Sequence, residues 1–233
     1  MAPRPRAAIS WSGGKDSCAA LERALADFDV VAMVTMCDEE TGRSRSHGLR
    51  REILDAQAAR LGLRRVSRAC AWSGYDAAFG DALAEVARIG VTHVIFGDIL
   101  FDEHRRWAET ACAPHGLVAV EPLFGSSTTA LFEAWTASPS DAVIVTVRAE
   151  CLDASWLGRP LRRDMLADFV RCGVDPCGER GEYHTVVTRS PLFSGEIAIE
   201  IGERVERSGC RAVDVRVAPR PAAPARGSGS IAG

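Results

Sequence analysis

The segment Ser12-Gly-Gly-Lys-Asp-Ser17 combines residue types that bind phosphate groups. It follows a short apolar stretch at residues 7–11 and opens a helical pattern that runs to about residue 26. Backbone N–H groups at the start of a helix are free and carry partial positive charge, and glycines let a phosphate approach them closely. We therefore predict that the phosphates of a nucleotide are bound by Ser12, Gly13, Gly14, Lys15, Asp16 and Ser17.

Asp16 indicates a metal ion at this loop. Its carboxylate by itself would repel phosphates, whereas beside Mg²⁺ it would help to hold the ion against them. The loop is not a Walker A motif, because Ile9 and Asp16 stand where that motif needs Gly and Ser or Thr. A plain strand–helix turn with a serine cap would explain the glycines but not the adjacent Lys15 and Asp16. Asp16 is the predicted magnesium ligand.

The loop requires a strand before it and a helix after it, and the first 150 residues alternate between the two. Strands that are apolar on both faces and separated by helices predict a mostly parallel, doubly wound sheet. The predicted strands are residues 7–11, 30–36, 63–69, 93–96, 117–120 and 142–147. Ligands of such a sheet bind beyond the carboxyl ends of the strands. We expect an α/β fold with its site at that edge.

The pattern changes after residue 150. A helical segment around Phe169 is followed by a polar, glycine-rich loop and then by extended segments at residues 185–188, 197–201 and 212–217. The last residues are rich in Pro, Ala, Gly and Ser, a composition typical of disorder. We predict three parts: an ATP-binding domain at 1–150, a smaller α+β domain at 151–218 and a disordered tail at 219–233.

Composition disfavours several classes of protein. The chain has 28 Lys and Arg against 31 Asp and Glu, which argues against a nucleic-acid partner. No apolar run approaches the roughly 20 residues that cross a bilayer, and the start does not resemble a signal peptide. The eight cysteines form no C-x-x-C pair, which disfavours a zinc site. Reduced thiols and a cytoplasmic location are expected.

Further motifs follow the phosphate loop in a characteristic order: Gly97-Asp-Ile, Glu121-Pro-Leu-Phe, Leu157-Gly-Arg and Gly178-Glu-Arg-Gly-Glu-Tyr-His-Thr. With the loop, they resemble the PP-loop ATP pyrophosphatase superfamily, whose fold is of the HUP or adenine nucleotide alpha hydrolase type. Within it they look like the diphthine–ammonia ligase family, in a bacterial-type form. The resemblance covers about residues 7–217. The last motif departs from the Glu-Gly-Gly-Glu-x-Glu-Thr pattern of archaeal and eukaryotic members.

This resemblance implies an ATP-dependent ligase that forms AMP and pyrophosphate. Members adenylate a carboxylate, and ammonia then displaces AMP. The implied cofactors are ATP and Mg²⁺, and the implied partners are free ammonia and a small-molecule or protein-borne carboxylate. Because diphthine belongs to archaeal and eukaryotic elongation factor 2, the acceptor of a bacterial-type member is left open. A homodimer is also left open.

Charged residues outside the loop complete the predicted site. Glu179 and Glu182 are candidates for holding ammonium and removing its proton, or for binding a cationic group of the substrate. His184 is a candidate base or substrate contact, and His47 a candidate for the adenylate pocket. Asp98, which ends the fourth strand, could contact the metal or the substrate. The alternatives are a solvated acidic loop, structural histidines and a turn cap.

Other residues have weaker claims to a role. Arg105, Arg106 and Arg159 could bind the acceptor carboxylate, although a solvated basic surface explains them equally well. Trp11 is predicted to be a core residue and not a ring stacked on adenine. Cys177 is predicted to be a structural residue and not a catalytic thiol, which would normally have a paired histidine or a second cysteine nearby; His184, seven residues on, leaves the catalytic role open as the alternative.

Two other functions share a loop of this kind. A tRNA-thiolating enzyme usually carries paired cysteines and a basic surface, and this sequence has neither. A non-catalytic protein that binds adenine nucleotides would not need the two glutamates. We therefore favour the ligase.

Overall fold

The computed structural model describes residues 3–207 and 209–219, which fold into two β-sheets and six α-helices. The strands are β1 (Arg6–Ser10), β2 (Asp29–Asp38), β3 (Arg64–Cys70), β4 (His93–Ile95), β5 (Val118–Val120), β6 (Asp141–Arg148), β7 (Tyr183–Arg189), β8 (Ile199–Arg207) and β9 (Cys210–Val217). The helices are α1 (Lys15–Ala24), α2 (Arg51–Leu61), α3 (Tyr75–Arg88), α4 (Asp102–Cys112), α5 (Thr128–Ala137) and α6 (Met165–Arg171). No helix in this part of the chain is long and apolar enough to span a membrane.

The first sheet has the strand order β3-β2-β1-β4-β5, and all its strand pairs are parallel. Successive residues of β1 pack into two hydrophobic cores, one on each face of the sheet. Ala7 and Ile9 pack with α1 and α2, whereas Ala8 packs with α3 and α4. Strand residues alternate between the two faces of a sheet, so a strand covered on both faces must be apolar throughout. The predicted doubly wound α/β fold is confirmed.

The second sheet is antiparallel, with the order β7-β6-β9-β8. The prediction that residues 142–147 continue the parallel sheet is wrong, because β6 lies between β7 and β9. A central strand is buried on both faces in either kind of sheet, so its apolar sequence does not reveal its partners. The helix α5, which separates β5 from β6, was not predicted. The division at residue 150 stays a prediction, and of the predicted tail residues 220–233 lie outside the described part.

The second sheet packs directly on the phosphate loop and on α2. The backbone N–H of Val187 on β7 donates to the carbonyl of Gly13 at 2.9 Å. On β9, Asp214 accepts hydrogen bonds from Arg50 at 2.7 Å and from Arg43 at 2.8 Å. These contacts join β7 to the phosphate loop and β9 to the residues that precede α2. The second sheet therefore lies against the phosphate loop.

Replacing Asp214 by asparagine is expected to lower the free energy of unfolding at neutral pH by about 2 kcal/mol, since it leaves three arginines, Arg43, Arg50 and Arg216, without their carboxylate. Hydrogen bonds from Arg50 and Arg43 hold the pKa of Asp214 well below its ordinary value, against the effect of burial. Its contribution is thus fully present above about pH 4, the pKa of an unfolded aspartate, and is lost as the pH falls towards the folded value.

Urea unfolding at several pH values measures this contribution. The difference between wild type and Asp214→Asn should shrink below about pH 4. As a control, Asp55→Asn removes a carboxylate that is half exposed and should cost less than about 1 kcal/mol. Equal effects of the two substitutions would contradict a structural role specific to Asp214.

Candidate active site

A cavity of about 680 Å³ lies at the carboxyl ends of β1, β2 and β4. The strand order reverses between β1 and β4, and open α/β sheets bind ligands at such a point. One wall is the phosphate loop, and the opposite wall is the segment from Cys177 to Gly181 with the first residues of β7. A cavity of this size accommodates a nucleotide.

The phosphate loop has the geometry of an anion cradle. Gly14 is the N-cap of α1, and the hydroxyls of Ser12 and Ser17 lie 3.2 Å apart on the cavity wall. Thr185 of β7 accepts a hydrogen bond from the backbone N–H of Lys15 at 3.1 Å. Gly13 has a φ of +91°, which residues other than glycine rarely adopt. The sequence prediction of a strand–loop–helix at this point is confirmed.

Gly14 is required by the close approach of a histidine. A Cβ atom at this position would lie 2.2 Å from Cε1 of His47 and 3.2 Å from the carbonyl oxygen of Thr185. Gly14→Ala is therefore expected to displace the loop and weaken ATP binding at least about tenfold, with a loss of about 1–3 kcal/mol in stability. Calorimetric titration with ATP and thermal unfolding measure the two effects.

Gly74→Ala is the matched control for Gly14→Ala. Its Cβ would make only an ordinary contact, 3.9 Å from Cβ of Cys70. Unchanged ATP affinity in Gly14→Ala would show that the loop tolerates the displacement and would contradict the prediction.

Lys15 is a buried ammonium at the base of the cavity, with 3% of its surface exposed. Its Nζ donates to both carboxylate oxygens of Asp16 at 2.8 Å and to the carbonyl of Cys177. Burial lowers the pKa of Lys15, but the attraction of Asp16 together with that of Tyr183 and Cys177 outweighs it, and the pKa lies above its ordinary value. Lys15 is therefore charged throughout the physiological range and can offset negative charge on phosphates.

Glu179 faces the loop from the opposite wall of the cavity. Its Oε2 accepts a hydrogen bond from the backbone N–H of Ile99 at 3.1 Å. Burial, and then the negative charge of Asp16, raise the pKa of Glu179 to about 7. A carboxyl group that titrates near neutral pH is suited to exchanging protons with a substrate.

Asp98 lines the same cavity from the end of β4 and accepts a hydrogen bond from Nδ1 of His104 at 2.9 Å. The preceding Gly97 allows this end of the strand to pack on α1, since a Cβ there would lie 2.9 Å from the backbone nitrogen of Ser17. The tertiary structure thus brings together Asp98, Asp16 and Glu179, which are far apart in sequence.

Three carboxylates on the cavity wall are of the kind that could hold a magnesium ion together with phosphate oxygens. Mg²⁺ is commonly bound by one or two carboxylates together with phosphate oxygens. Asp16, Asp98 and Glu179 line the cavity, and the first two help to raise the pKa of the third, so a cation would relieve their repulsion. Among the described residues, no group of three or more His, Cys, Asp or Glu side chains is placed to hold a metal ion by itself, so phosphate oxygens would have to complete the site.

Glu182 is not among the residues that line the cavity, and its predicted role at ammonium or substrate stays a prediction that its own contacts do not support. The side chain is buried, and its two oxygens accept hydrogen bonds from the backbone N–H groups of Asp175 and Arg180, each at 3.0 Å. Asp175, which sequence reasoning missed, accepts further bonds from the N–H groups of Cys177 and Glu179. Loop amides have no ladder partner and must be satisfied when buried. The two carboxylates therefore hold the loop that carries Glu179.

His47 and His184 form a tilted pair of rings in the cavity wall, with centroids 4.6 Å apart and planes inclined by 33°. Nδ1 of His47 donates to the carbonyl of Thr185 at 2.7 Å. Burial lowers the pKa of His47 to about 4 and that of His184 well below its ordinary value. Both rings are therefore neutral near pH 7 and act as hydrogen-bonding groups without charge.

The arginines suggested by the sequence lie outside the cavity. Arg105 packs over the ring of Phe124 with its charged group 4.9 Å from the centroid, and Arg159 packs over Trp156 at 4.7 Å. Nothing in their contacts supports binding of an acceptor carboxylate. Long arginine side chains commonly cover apolar surface while the charged end remains solvated.

Cys177 and Trp11 are both buried core residues that also border the cavity. The thiol of Cys177 donates to the carbonyl of Thr128 at 3.3 Å, and burial raises its pKa to about 12, which leaves little thiolate for catalysis. All eight cysteines are free thiols. Trp11 is buried beside the cavity with 2% of its surface exposed.

Two family models match the chain in succession. The first, described as the diphthamide synthase N-terminal domain, matches residues 5–119, and the second, the diphthamide synthase C-terminal domain, matches residues 128–215. The chain belongs to the diphthamide synthase family. The resemblance inferred from the sequence motifs is confirmed, since relatives named diphthine–ammonia ligase match as well.

Relatives of this diphthamide synthase family member span most of the chain at low identity. Diphthine–ammonia ligase of Rattus norvegicus is 27% identical over 229 residues, which cover 87% of this chain and 86% of that protein. The Danio rerio protein of the same name is 28% identical over 84% of this chain and 87% of that protein. A predicted subunit of tRNA methyltransferase from Methanocaldococcus jannaschii aligns at 14% identity and a TM-score of 0.41, covering 82% of this chain and 100% of that one.

Two features of this family member's site were missed by sequence reasoning. The first is an aromatic rim at the open side of the cavity, formed by Trp72, Tyr75 and Trp107, with Trp72 73% exposed. The second is Gln57, which is fully buried on α2 and contacts the phosphate loop. A glutamine on the apolar face of a helix is unusual and could have been noticed. Trp72 and Tyr75 lie three residues apart at the start of α3, whereas Trp107 comes from α4, and only packing brings it beside them.

Proposed function

We propose that this protein is an ATP-dependent ligase that adenylates a carboxylate and joins it to ammonia, with AMP and pyrophosphate as products. The observation that carries the proposal is that one cavity contains both a phosphate loop and Glu179, a carboxyl group whose pKa is about 7. Membership of the diphthamide synthase family and relatives named diphthine–ammonia ligase support the same activity.

The phosphate loop serves the first step. The acceptor carboxylate attacks the α-phosphorus of ATP, the bond to the bridging oxygen breaks, and pyrophosphate leaves. Negative charge develops on the departing pyrophosphate beside the start of α1 and the ammonium of Lys15. Ser12 and Ser17 offer hydroxyl donors to the same phosphates. When Mg²⁺ is bound, with Asp16 as its protein ligand, it adds Lewis-acid stabilisation of the phosphate oxygens.

Glu179 serves the second step. Ammonium is attracted to the acidic wall formed by Glu179 and Asp98, and it must lose a proton before its nitrogen can attack. Glu179 accepts that proton. The nitrogen then attacks the acyl carbon and loses a second proton to solvent, the carbon–oxygen bond to AMP breaks, and the amide forms. Asp175 and Glu182 keep Glu179 in place through the loop amides.

Cell compartment and assembly belong to the same proposal. Eight free cysteines in one chain suit a reducing compartment, and we propose a cytoplasmic location. The acceptor, whether a small molecule or a protein-borne carboxylate, and a homodimer are predictions that remain to be measured.

Product analysis tests the proposed function. The protein is incubated with ATP, Mg²⁺, ammonium and a pool of carboxylates that includes diphthine, and Lys15→Met serves as the loop control. AMP and pyrophosphate that depend on one acceptor and on an intact loop support the ligase and name its substrate. ADP and phosphate would indicate a kinase, and ATP binding without cleavage would indicate a nucleotide sensor. Either result overturns the proposal.

A further inference from the structure

Gln57 is a buried polar side chain that links three elements around the phosphate loop. It is fully inaccessible to solvent on α2. Its Oε1 accepts a hydrogen bond from the indole N–H of Trp11 at 2.8 Å, and its Nε2 donates to the carbonyls of Gly13 at 3.0 Å and Val187 at 2.9 Å. The indole can only donate and the two carbonyls can only accept, so this orientation of the amide is the one that satisfies every group.

The bond to Gly13 determines the orientation of a peptide in the phosphate loop. The Gly13 carbonyl accepts hydrogen bonds from Nε2 of Gln57 and from the backbone N–H of Val187, and it therefore points away from the cavity. In a trans peptide the carbonyl and the next N–H point in opposite directions. The N–H of Gly14 is accordingly directed towards the cavity side, where it donates a hydrogen bond to Oγ of Ser12 at 3.3 Å.

This orientation is not guaranteed by the backbone itself. Gly13 and Gly14 both lack a Cβ, and glycine tolerates both signs of φ, so the peptide between them can rotate at little cost. A rotated peptide would aim a carbonyl at the phosphates in place of an N–H donor. The partial negative charge of that oxygen would then repel the ligand.

We propose that Gln57 is a positioning residue that keeps the Gly13–Gly14 peptide with its N–H directed at the nucleotide phosphates. The inference rests on the proposed function, because it presupposes that ATP binds at this loop. Without the amide of Gln57, the Gly13 carbonyl retains only the N–H of Val187, and the rotated peptide becomes populated. Phosphate binding weakens while binding of the nucleoside part is unaffected.

The test compares ATP with adenosine, which lacks phosphates. Gln57→Met keeps the length and approximate volume of the side chain and removes all three hydrogen bonds. With Mg²⁺ present, calorimetric titration is expected to show the Kd for ATP raised about tenfold and the Kd for adenosine unchanged within about twofold. A role in folding alone would leave the ratio of the two Kd values as in wild type, and that result overturns the inference.

Ile53→Val provides the matched control. Ile53 is equally buried on α2, one turn before Gln57, and its truncation destabilises the same helix by about 1 kcal/mol without touching the loop. The ratio of its Kd for ATP to its Kd for adenosine should equal that of wild type, and a changed ratio overturns the inference.

If Gln57→Met does not fold, Gln57→Asn is measured in the same way, because its shorter amide cannot reach both carbonyls. The same change in ratio is expected. Wild-type protein that binds no ATP would overturn the proposed function and this inference with it, whereas ATP bound equally by wild type and variant overturns the inference alone.

Discussion

Lys15→Met is expected to lower kcat/KM for ATP cleavage about 1,000-fold, the upper range for removal of one charge-stabilising donor from a transition state. Methionine keeps the length of the side chain but removes the buried ammonium that lies 2.8 Å from the Asp16 oxygens. Asp16 is then uncompensated beside the phosphates, so the Kd for ATP should also rise about tenfold. Release of pyrophosphate, measured at saturating and limiting ATP, separates the two effects.

Arg23→Met controls for loss of a positive charge on the same helix. Arg23 is exposed and donates to the carbonyl of Pro122 and to Ser126, away from the cavity. Its kcat/KM should remain within about twofold of wild type, since exposed charges contribute little. Circular dichroism verifies that both variants are folded. Retention of full ATP cleavage by Lys15→Met would contradict the assignment of the loop as the phosphate site.

Glu179→Gln is expected to lower the rate of amide formation about 100-fold at pH 8, the usual contribution of a positioned general base. Glutamine keeps an oxygen that can accept the N–H of Ile99, so the loop retains its anchor. The wild-type carboxyl, with a pKa of about 7, is ionised and able to accept a proton only above that pH. The ratio of wild-type to variant rates should therefore rise with pH up to about 7 and then level off.

The ratio of wild-type to Glu179→Gln rates is the quantity to compare, because the fraction of free ammonia also changes with pH. Both proteins experience the same fraction of free ammonia at each pH, so its titration cancels from the ratio. In assays without ammonium, the first step yields the acyl adenylate and the AMP that its hydrolysis releases. The rate at which these products form should be nearly the same in Glu179→Gln as in wild type. A ratio of rates that does not change with pH would contradict proton transfer by Glu179. If adenylation fell as much as amide formation in Glu179→Gln, Glu179 would be assigned to the first step.

The phosphate loop could be predicted because its information is local. Six consecutive residues between a strand and a helix carry the glycines, the lysine and the hydroxyls, and the helix start supplies the N–H groups. The parallel strands were predictable for a related reason. A strand covered on both faces must be apolar in sequence, whatever its neighbours are.

The roles of Glu179 and Glu182 could not be separated in the sequence. They lie three residues apart in one polar loop, yet one side chain faces the cavity and the other binds the amides of its own loop. That difference depends on the backbone path of the loop, including the positive φ values of Gly178 and Gly181. Similarly, the apolar sequence of β6 was compatible with either sheet, and only its pairing with β7 and β9 resolved the choice.

The sequence by itself determined the phosphate loop, the doubly wound sheet and the family, because each is encoded in short motifs or in regular spacing. The tertiary structure alone decided which distant residues share the cavity. Glu179 approaches Lys15 and Asp16 across more than 160 positions because β7 packs on the loop, and Gln57 reaches Gly13 because α2 lies beneath it. Contacts between residues far apart in sequence arise from packing, and packing leaves no local pattern by which a single sequence reveals them.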